Sequence, residues 1–505
     1  PYTVVTDSNL VQVAPDNIGR KARKGGWWSA LRIGGRNILS VGTTAILARL
    51  LTPDDYGLLG MVATLTALLQ VFSDMGLSWA TIQRKSLSAT QVSNLFWINA
   101  AAGLLLWGAC MAIAPLVASF YGRTELQAVT MVMGASFLLG GLAVQPFALL
   151  RRRMEYRRIA VIEIAALVAA AGSAIAAAMG GLGYWALVVQ ALVAQLVRLV
   201  CVWPFCGLAL QAPRRDAGTQ SMVGFGGLLA LNGVLIYAAR NLDSVFLGHA
   251  WGSEALGYYN RAYFLMLLPS VLATSVLSDL MVPSLSALQG DPERFGKAYR
   301  RALRVVAFIG CPMSLGLALT ASEAVHLVYG PQWEPVVPML IWLSIAGITQ
   351  PIYNTTGWLF TARARAGIYL LLTSVNAVIL ALAFWVGARF GPVAVAQAYG
   401  IVMGLLLLWP ALALAHLAGG IRLRDSTRAL LPVAVCLAAL VVAVLLVSEA
   451  AQLAGLSWWA AFALKVVTGV LVYVAAGRLW VRPMLREDLL PMLPVRIRTR
   501  VQGWI

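Results

Sequence analysis

Arg422 to Glu449 reads RLRDSTRALLPVAVCLAALVVAVLLVSE. Three arginines stand in its first seven residues, and the twenty residues from Ala429 to Ser448 carry no charge. At about 1.5 Å per helical residue, an apolar run of this length crosses the roughly 30 Å hydrocarbon layer of a bilayer. A water-soluble helix would confine such residues to one stripe. The stretch therefore reads as a membrane-spanning helix whose basic end stays in the cytoplasm.

The pattern recurs along the whole chain. Of 505 residues, 60% are hydrophobic and only 11% are charged. Soluble domains carry about a quarter charged residues, so a water-facing surface could not be covered. Spans are expected at 27–51, 56–76, 92–119, 126–149, 159–181, 183–206, 220–248, 255–284, 302–322, 334–361, 367–389, 393–417, 429–448 and 457–480. Thr52-Pro53-Asp54-Asp55, Gly180-Gly181-Leu182-Gly183, Gly330-Pro331 and Gly419-Gly420 punctuate them. Cys110, Cys201, Cys206, Cys311 and Cys436 lie in or beside apolar runs and read as small buried hydrophobes. His249, His326 and His416 are scattered, which argues against a metal or catalytic cluster, and no cofactor is expected.

The net charge of +18 is mainly a topology signal. With the N terminus in the cytoplasm, the inner segments and both tails hold 29 of the 38 basic residues, among them Arg151 to Arg153, Arg294 to Arg304 and Arg422 to Arg428. The outer loops hold almost none, Arg123 being the clearest. An even number of spans keeps the basic C-terminal end inside as well. These charges suit anionic lipid heads and do not call for nucleic acid. Residues 1–25 and 483–505 are then cytoplasmic tails, and the first is too long and polar for a cleaved signal peptide. Tyrosines and tryptophans such as Trp27, Tyr56, Trp251 and Trp458 form an interfacial belt.

Leu47 to Gly57 (LARLLTPDDYG) and Leu247 to Gly257 (LGHAWGSEALG) are similar at an offset of 200 residues. Leu47 matches Leu247, Asp54 matches Glu254 and Gly57 matches Gly257. Each links an outward-going helix to an inward-going one. The expected fold is an all-α integral membrane protein with about fourteen transmembrane helices. It has two pseudo-symmetric six-helix lobes, 26–215 and 216–425, followed by two C-terminal helices within 426–482. Parallel repeats of this kind mark alternating-access transporters whose site lies near the midplane.

Charges within the spans are few and costly. Arg32 and Arg36 flank Gly34 and Gly35 in the first span; Arg240 and Asp243 stand in the seventh, Arg261 in the eighth and Lys465 in the fourteenth. The buried acids Asp74, Glu163, Asp243 and Asp279 are in the minority. The expected cavity is basic, and a guanidinium stays charged on desolvation and grips phosphate oxygens in pairs. Plainer readings stand beside this one. Arg32 can snorkel to the interface. Arg240 and Asp243, three apart, can neutralise each other. Lys465 can lie at the periphery. Pro269 and Pro312, with Gly34 and Gly35, are candidate hinges or simple bends.

A set of motifs resembles the Wzx-type oligosaccharide flippases, the WzxC-like branch of the multidrug/oligosaccharidyl-lipid/polysaccharide exporter superfamily. It comprises Ile46 to Gly57, Phe72-Ser73-Asp74-Met75-Gly76-Leu77 with Ile82-Gln83-Arg84-Lys85, Leu149 to Arg152 with Ile162-Glu163, Arg240-Asn241-Leu242-Asp243, Gly248, Leu256 to Ala262 and Tyr329-Gly330-Pro331-Gln332-Trp333. The resemblance implies a non-enzymatic flippase of the bacterial inner membrane that carries undecaprenyl-diphosphate-linked sugar repeat units to the outer leaflet. The product would be an exopolysaccharide, capsule or O antigen, made alongside the polymerase and glycosyltransferases of the same pathway. Arg36, Arg32, Arg240 and Arg261 are the candidate diphosphate contacts, and Asp243 is a candidate for ion coupling or charge pairing. A lipid II flippase is the nearest rival. A multidrug or cation antiporter would suit twelve helices and an acidic cavity, and a polymerase or ligase would need a sizeable polar outer loop.

Overall fold

The computed structural model describes residues 35–74, 77–83, 88–208, 210–213 and 217–480, with the side chains of 71–74, 79–80, 83, 217–240, 275–280 and 366 outside that description. Among the described residues all regular structure is helical. The helices are α1 (35–50), α2 (Pro53–Asp74), α3 (Leu77–Gln83), α4 (Ala89–Tyr121), α5 (Glu125–Arg152), α6 (Tyr156–Met179), α7 (Trp185–Cys206) and α8 (Ala217–Ala287). There follow α9 (Pro292–Leu319), α10 (Ala321–Val328), α11 (Val336–Ala362), α12 (Ala366–Gly387), α13 (Pro392–Ile401), α14 (Leu408–Gly419), α15 (Leu423–Leu453) and α16 (Trp458–Trp480). Among the described residues, ten helices are long and apolar enough to cross a membrane, α13 and α14 counting as one through the π-turn between them. The chain is a multi-pass, all-α membrane protein. Its contacts divide it into two compact units, through Gly257 and from Tyr258 onward.

Local chemistry sets the helix ends. Ser88 accepts from the Gln91 amide while the Gln91 side chain accepts from the Ser88 amide, a reciprocal capping box that starts α4. Asp291 caps α9 ahead of Pro292 with a single bond, its carboxylate accepting from the Arg294 backbone amide at 3.1 Å. The π-turn over Val402–Leu406 precedes Pro410, whose missing N–H and ring disrupt the regular ladder at that point.

In the first unit, the start of α2 packs against the turn of α8 at Gly252, where φ is +79° and the helix breaks. A Cβ on Gly57 would lie 1.7 Å from the Ser253 carbonyl oxygen, and one on Gly257 would lie 2.0 Å from the Pro53 carbonyl oxygen. Pro53 and Ser253 stand 200 residues apart, as do Gly57 and Gly257. The contact is therefore reciprocal, as a two-fold relation between the hairpins produces. Arg123 ties it together: its guanidinium donates to both Asp54 carboxylate oxygens, at 3.2 and 2.9 Å, and to Ser253 Oγ at 3.2 Å. The Ser253 hydroxyl donates to Asp54 as well. Arg123, the clearest basic residue of the outer loops, is thus the centre of an ion-pair cluster that also includes Glu125.

The second unit has buried polar joints of its own. Tyr299 meets Thr355 at 3.0 Å, and His416 is held between Leu412 O and Ser426 Oγ. Arg363 stacks over Phe295 at 4.3 Å and donates to the carbonyls of Gln289 and Gly419, which ties three inter-helix turns together. Lys465 of α16 pairs with Glu323 of α10, their side chains only 10% and 15% exposed. Lys465 thus anchors the C-terminal helix to a neighbour through an acid absent from the sequence-derived candidates.

Candidate functional site

A cavity of about 290 Å³ opens inside the first unit. Gln70 of α2, Arg151 of α5, Glu163 of α6, and Gln195 and Arg198 of α7 give it a polar lining. The helix positions explain the convergence. Arg198 follows Gln195 by three residues, so both share one face of α7, and the Arg198 guanidinium donates to Gln195 Oε1 at 3.3 Å. Arg198 lies thirteen residues from Trp185, so it stands about 20 Å along α7, deep in a spanning helix. Glu163 is seven residues into α6, about 10 Å from its first residue. A charge at such depth is tolerated where it meets a partner or water. Arg198 lies within electrostatic reach of both Glu163 and Arg36.

Arg151, Arg198 and the nearby Arg36 outnumber Glu163, so this cavity carries a net positive field. Its guanidiniums offer paired donors to phosphate or carboxylate oxygens, and the amides of Gln70 and Gln195 offer neutral hydrogen bonds. Among the described residues no group of three His, Cys, Asp or Glu side chains could hold a metal ion.

The sequence-derived candidates fall into three groups. Arg36 is exposed on α1 and within reach of this cavity. Gly35 has open space around it. Arg32 and Gly34 lie outside the described residues, and so does the side chain of Arg240. Others stand apart from the cavity lining. Asp243 is buried, 4% exposed, and its Oδ1 accepts from the Ser244 amide at 2.7 Å. Arg261 is half-buried in the second unit with its guanidinium over the Phe264 ring at 5.5 Å. Pro269 is buried within α8, and Pro312 is half-buried within α9. Arg198 is missing from those candidates. Its signal was present, since a lone arginine interrupts the apolar run of 183–206. Gln70 and Gln195 carried no signal, because one amide in an apolar run is common at helix contacts.

A family model described as "Polysaccharide biosynthesis protein" matches residues 46–338, more than half of the chain. The chain is 25% identical over 402 residues to the lipopolysaccharide biosynthesis protein WzxC of Escherichia coli (strain K12), covering 78% of this chain and 79% of that one. It is 24% identical over 397 residues to the teichuronic acid biosynthesis protein TuaB of Bacillus subtilis (strain 168), covering 76% and 80%. Among solved structures it is similar to the lipid II flippase MurJ in an inward closed conformation, with TM-score 0.72, 14% identity, and 91% and 99% of the two chains covered. An inward-facing multidrug MATE transporter follows with TM-score 0.62, 16% identity, and 77% and 95% covered. At these identities the two structures establish a shared fold. The family match spans the paired hairpins and the polar cavity alike, and the chain belongs to the polysaccharide biosynthesis protein family.

Proposed function

We propose that the protein is a flippase for undecaprenyl-diphosphate-linked oligosaccharide in the bacterial inner membrane, serving exopolysaccharide, capsule or O-antigen assembly. The observation that carries this reading is the basic cavity around Arg198, Glu163 and Gln195, which opens among the helices of the first unit. Such a cavity suits an anionic head on an apolar tail: the diphosphate pairs with guanidiniums while the prenyl chain stays in lipid. Both termini are cytoplasmic in this proposal, and the lobes 26–215 and 216–425 alternate access as two halves. The head enters at Arg36 and Arg198, with Arg32 as a further candidate contact, and leaves past Arg240 and Arg261. Asp243 is the candidate for ion coupling. Polymerase and glycosyltransferases of the pathway are its expected partners.

The test is transport of a fluorescent polyprenyl-diphosphate glycan in proteoliposomes, with quenching of the outward-facing label by a membrane-impermeant reductant. Arg198→Glu and Arg36→Glu are expected to cut transport by about ten- to hundredfold, the scale of lost charge-assisted hydrogen bonds. Arg198→Lys retains part of it, as a point charge without the fork. If both reversals insert normally and transport at the wild-type rate, the anionic-head account is wrong. The fold shared with the lipid II flippase MurJ makes lipid II the competing cargo, so it is the second arm: preferential transport of lipid II reassigns the substrate.

A further inference from the structure

The second unit carries a polar cluster with no charge in it. Gln350 and Asn354 stand four residues apart on α11 and share one of its faces. Gln350 Oε1 accepts from the Tyr399 hydroxyl at 3.4 Å, and Asn354 Nδ2 donates to Ser270 Oγ at 3.3 Å. Tyr263 packs edge-on against Tyr399, ring centroids 5.7 Å apart at 71°, and stacks along Tyr259 at 6.2 Å and 24°. Gln350 is fourteen residues from Val336, about 21 Å along the helix and close to the middle of the span.

Two facts make this cluster more than helix glue. Ile348 and Ile352, on the roughly opposite side of α11, pack on the apolar core of Ala307, Cys311 and Val433, so the amides do not face that core. Gln350, Asn354 and Tyr263 are each half-buried at mid-span. Hydrocarbon strongly disfavours exposed amides, so a half-buried amide face like this one suits a watery space better than lipid. Among the described residues, the hydrogen bonds above use the oxygen of Gln350 and the nitrogen of Asn354. The Gln350 amide nitrogen and the Asn354 amide oxygen are not used by these bonds, and the Tyr263 ring joins the cluster through Tyr399. Arg261, two residues before Tyr263, sits on roughly the opposite side of α8.

Neutral donor, neutral acceptor and ring together match a pyranose. A sugar hydroxyl both donates and accepts, and the apolar C–H side of the ring lies against an aromatic side chain. They do not match a phosphate, which calls for cations. We propose that Tyr263, Gln350 and Asn354 form a carbohydrate subsite that holds a sugar ring of the cargo, separate from the guanidinium cavity of the first unit. The proposal rests on the cargo being a lipid-linked oligosaccharide.

The experiment measures binding to the full chain in nanodiscs. The probes are a polyprenyl diphosphate without sugar and the same lipid bearing glucose, galactose or N-acetylglucosamine. The wild type is expected to bind at least one sugar-bearing lipid more tightly than the bare one. Tyr263→Ala and Gln350→Ala weaken that lipid by about tenfold, the size of one lost hydrogen bond or ring contact, and leave the bare lipid unchanged. Tyr263→Phe keeps the ring and stays within about twofold of wild type. If sugar adds nothing to wild-type binding, or if the variants weaken both lipids in parallel, the cluster is structural and the proposal is overturned while the flippase reading stands. If the wild type binds neither the bare lipid nor any sugar-bearing form, the flippase reading falls and takes this subsite with it.

Discussion

Replacing Gly57 by alanine tests the reciprocal junction between α2 and the broken turn of α8. The added Cβ would sit 1.7 Å from Ser253 O, 2.3 Å from its carbonyl carbon and 2.8 Å from its Cα. Real Cβ contacts do not fall below 3.0 Å, so the backbones must separate by about 1.3 Å. All three obstructing atoms are main chain and no rotamer change relieves them. Overpacking a tight interface costs about 1–3 kcal/mol, and a main-chain clash belongs at the upper end. Gly257→Ala makes the mirror contact with Pro53 O at 2.0 Å and is expected to cost a similar amount. Because both glycines serve one junction, separation forced by the first makes room for the second. The double variant is therefore expected to lose about as much as either single one, a non-additivity of about the single-variant cost. Gly172→Ala, with nothing within 4 Å of the new Cβ, is the control. The measurement is thermal unfolding of detergent-purified protein with cargo transport alongside. Wild-type stability and transport in Gly57→Ala and Gly257→Ala would refute the reasoning, as would costs that simply add.

The same junction sets a pH dependence. Burial pushes the Asp54 carboxyl up, but hydrogen bonds from Arg123 and Ser253 and the charge of Arg123 outweigh it and hold the carboxyl below its ordinary value of 3.8. A depressed carboxyl stabilises the fold fully above that ordinary value and loses its contribution as pH falls through the lower folded one. Thermal stability of the wild type should drop below about pH 3.8 more steeply than that of Asp54→Asn; parallel profiles would exclude the ion pair as a contributor. Lys465→Met leaves Glu323 without its partner in a mostly buried place, at a cost of about 3–5 kcal/mol, whereas Lys465→Met with Glu323→Leu removes both charges and restores most of the stability. Unfolding curves on which the single and double variants coincide would contradict this.

The architecture was written in the chain at the level of solvent preference. Twenty uncharged residues from Ala429 to Ser448 have few places to go except a bilayer, and a bilayer forces the backbone to satisfy itself as helix. The all-α membrane fold therefore follows from composition and run length, and the 200-residue echo was visible because Gly57 and Gly257 recur in similar surroundings. Why both are glycine was not visible: only the packed hairpins show that each Cα must meet a carbonyl from the other. The site was legible as charge but not as geometry. Arg36 and Arg198 each interrupt an apolar span as cations, yet nothing in the order of residues says that they come near one another or that α6 turns Glu163 toward α7. Arg123 and Asp54 lie 69 positions apart and Lys465 and Glu323 lie 142 apart. Runs of like residues determine which solvent each segment seeks, because that preference is a sum over the segment. Pairings of charges and the lining of a cavity depend on how each helix is rotated against its neighbours, and only the tertiary structure fixes those rotations.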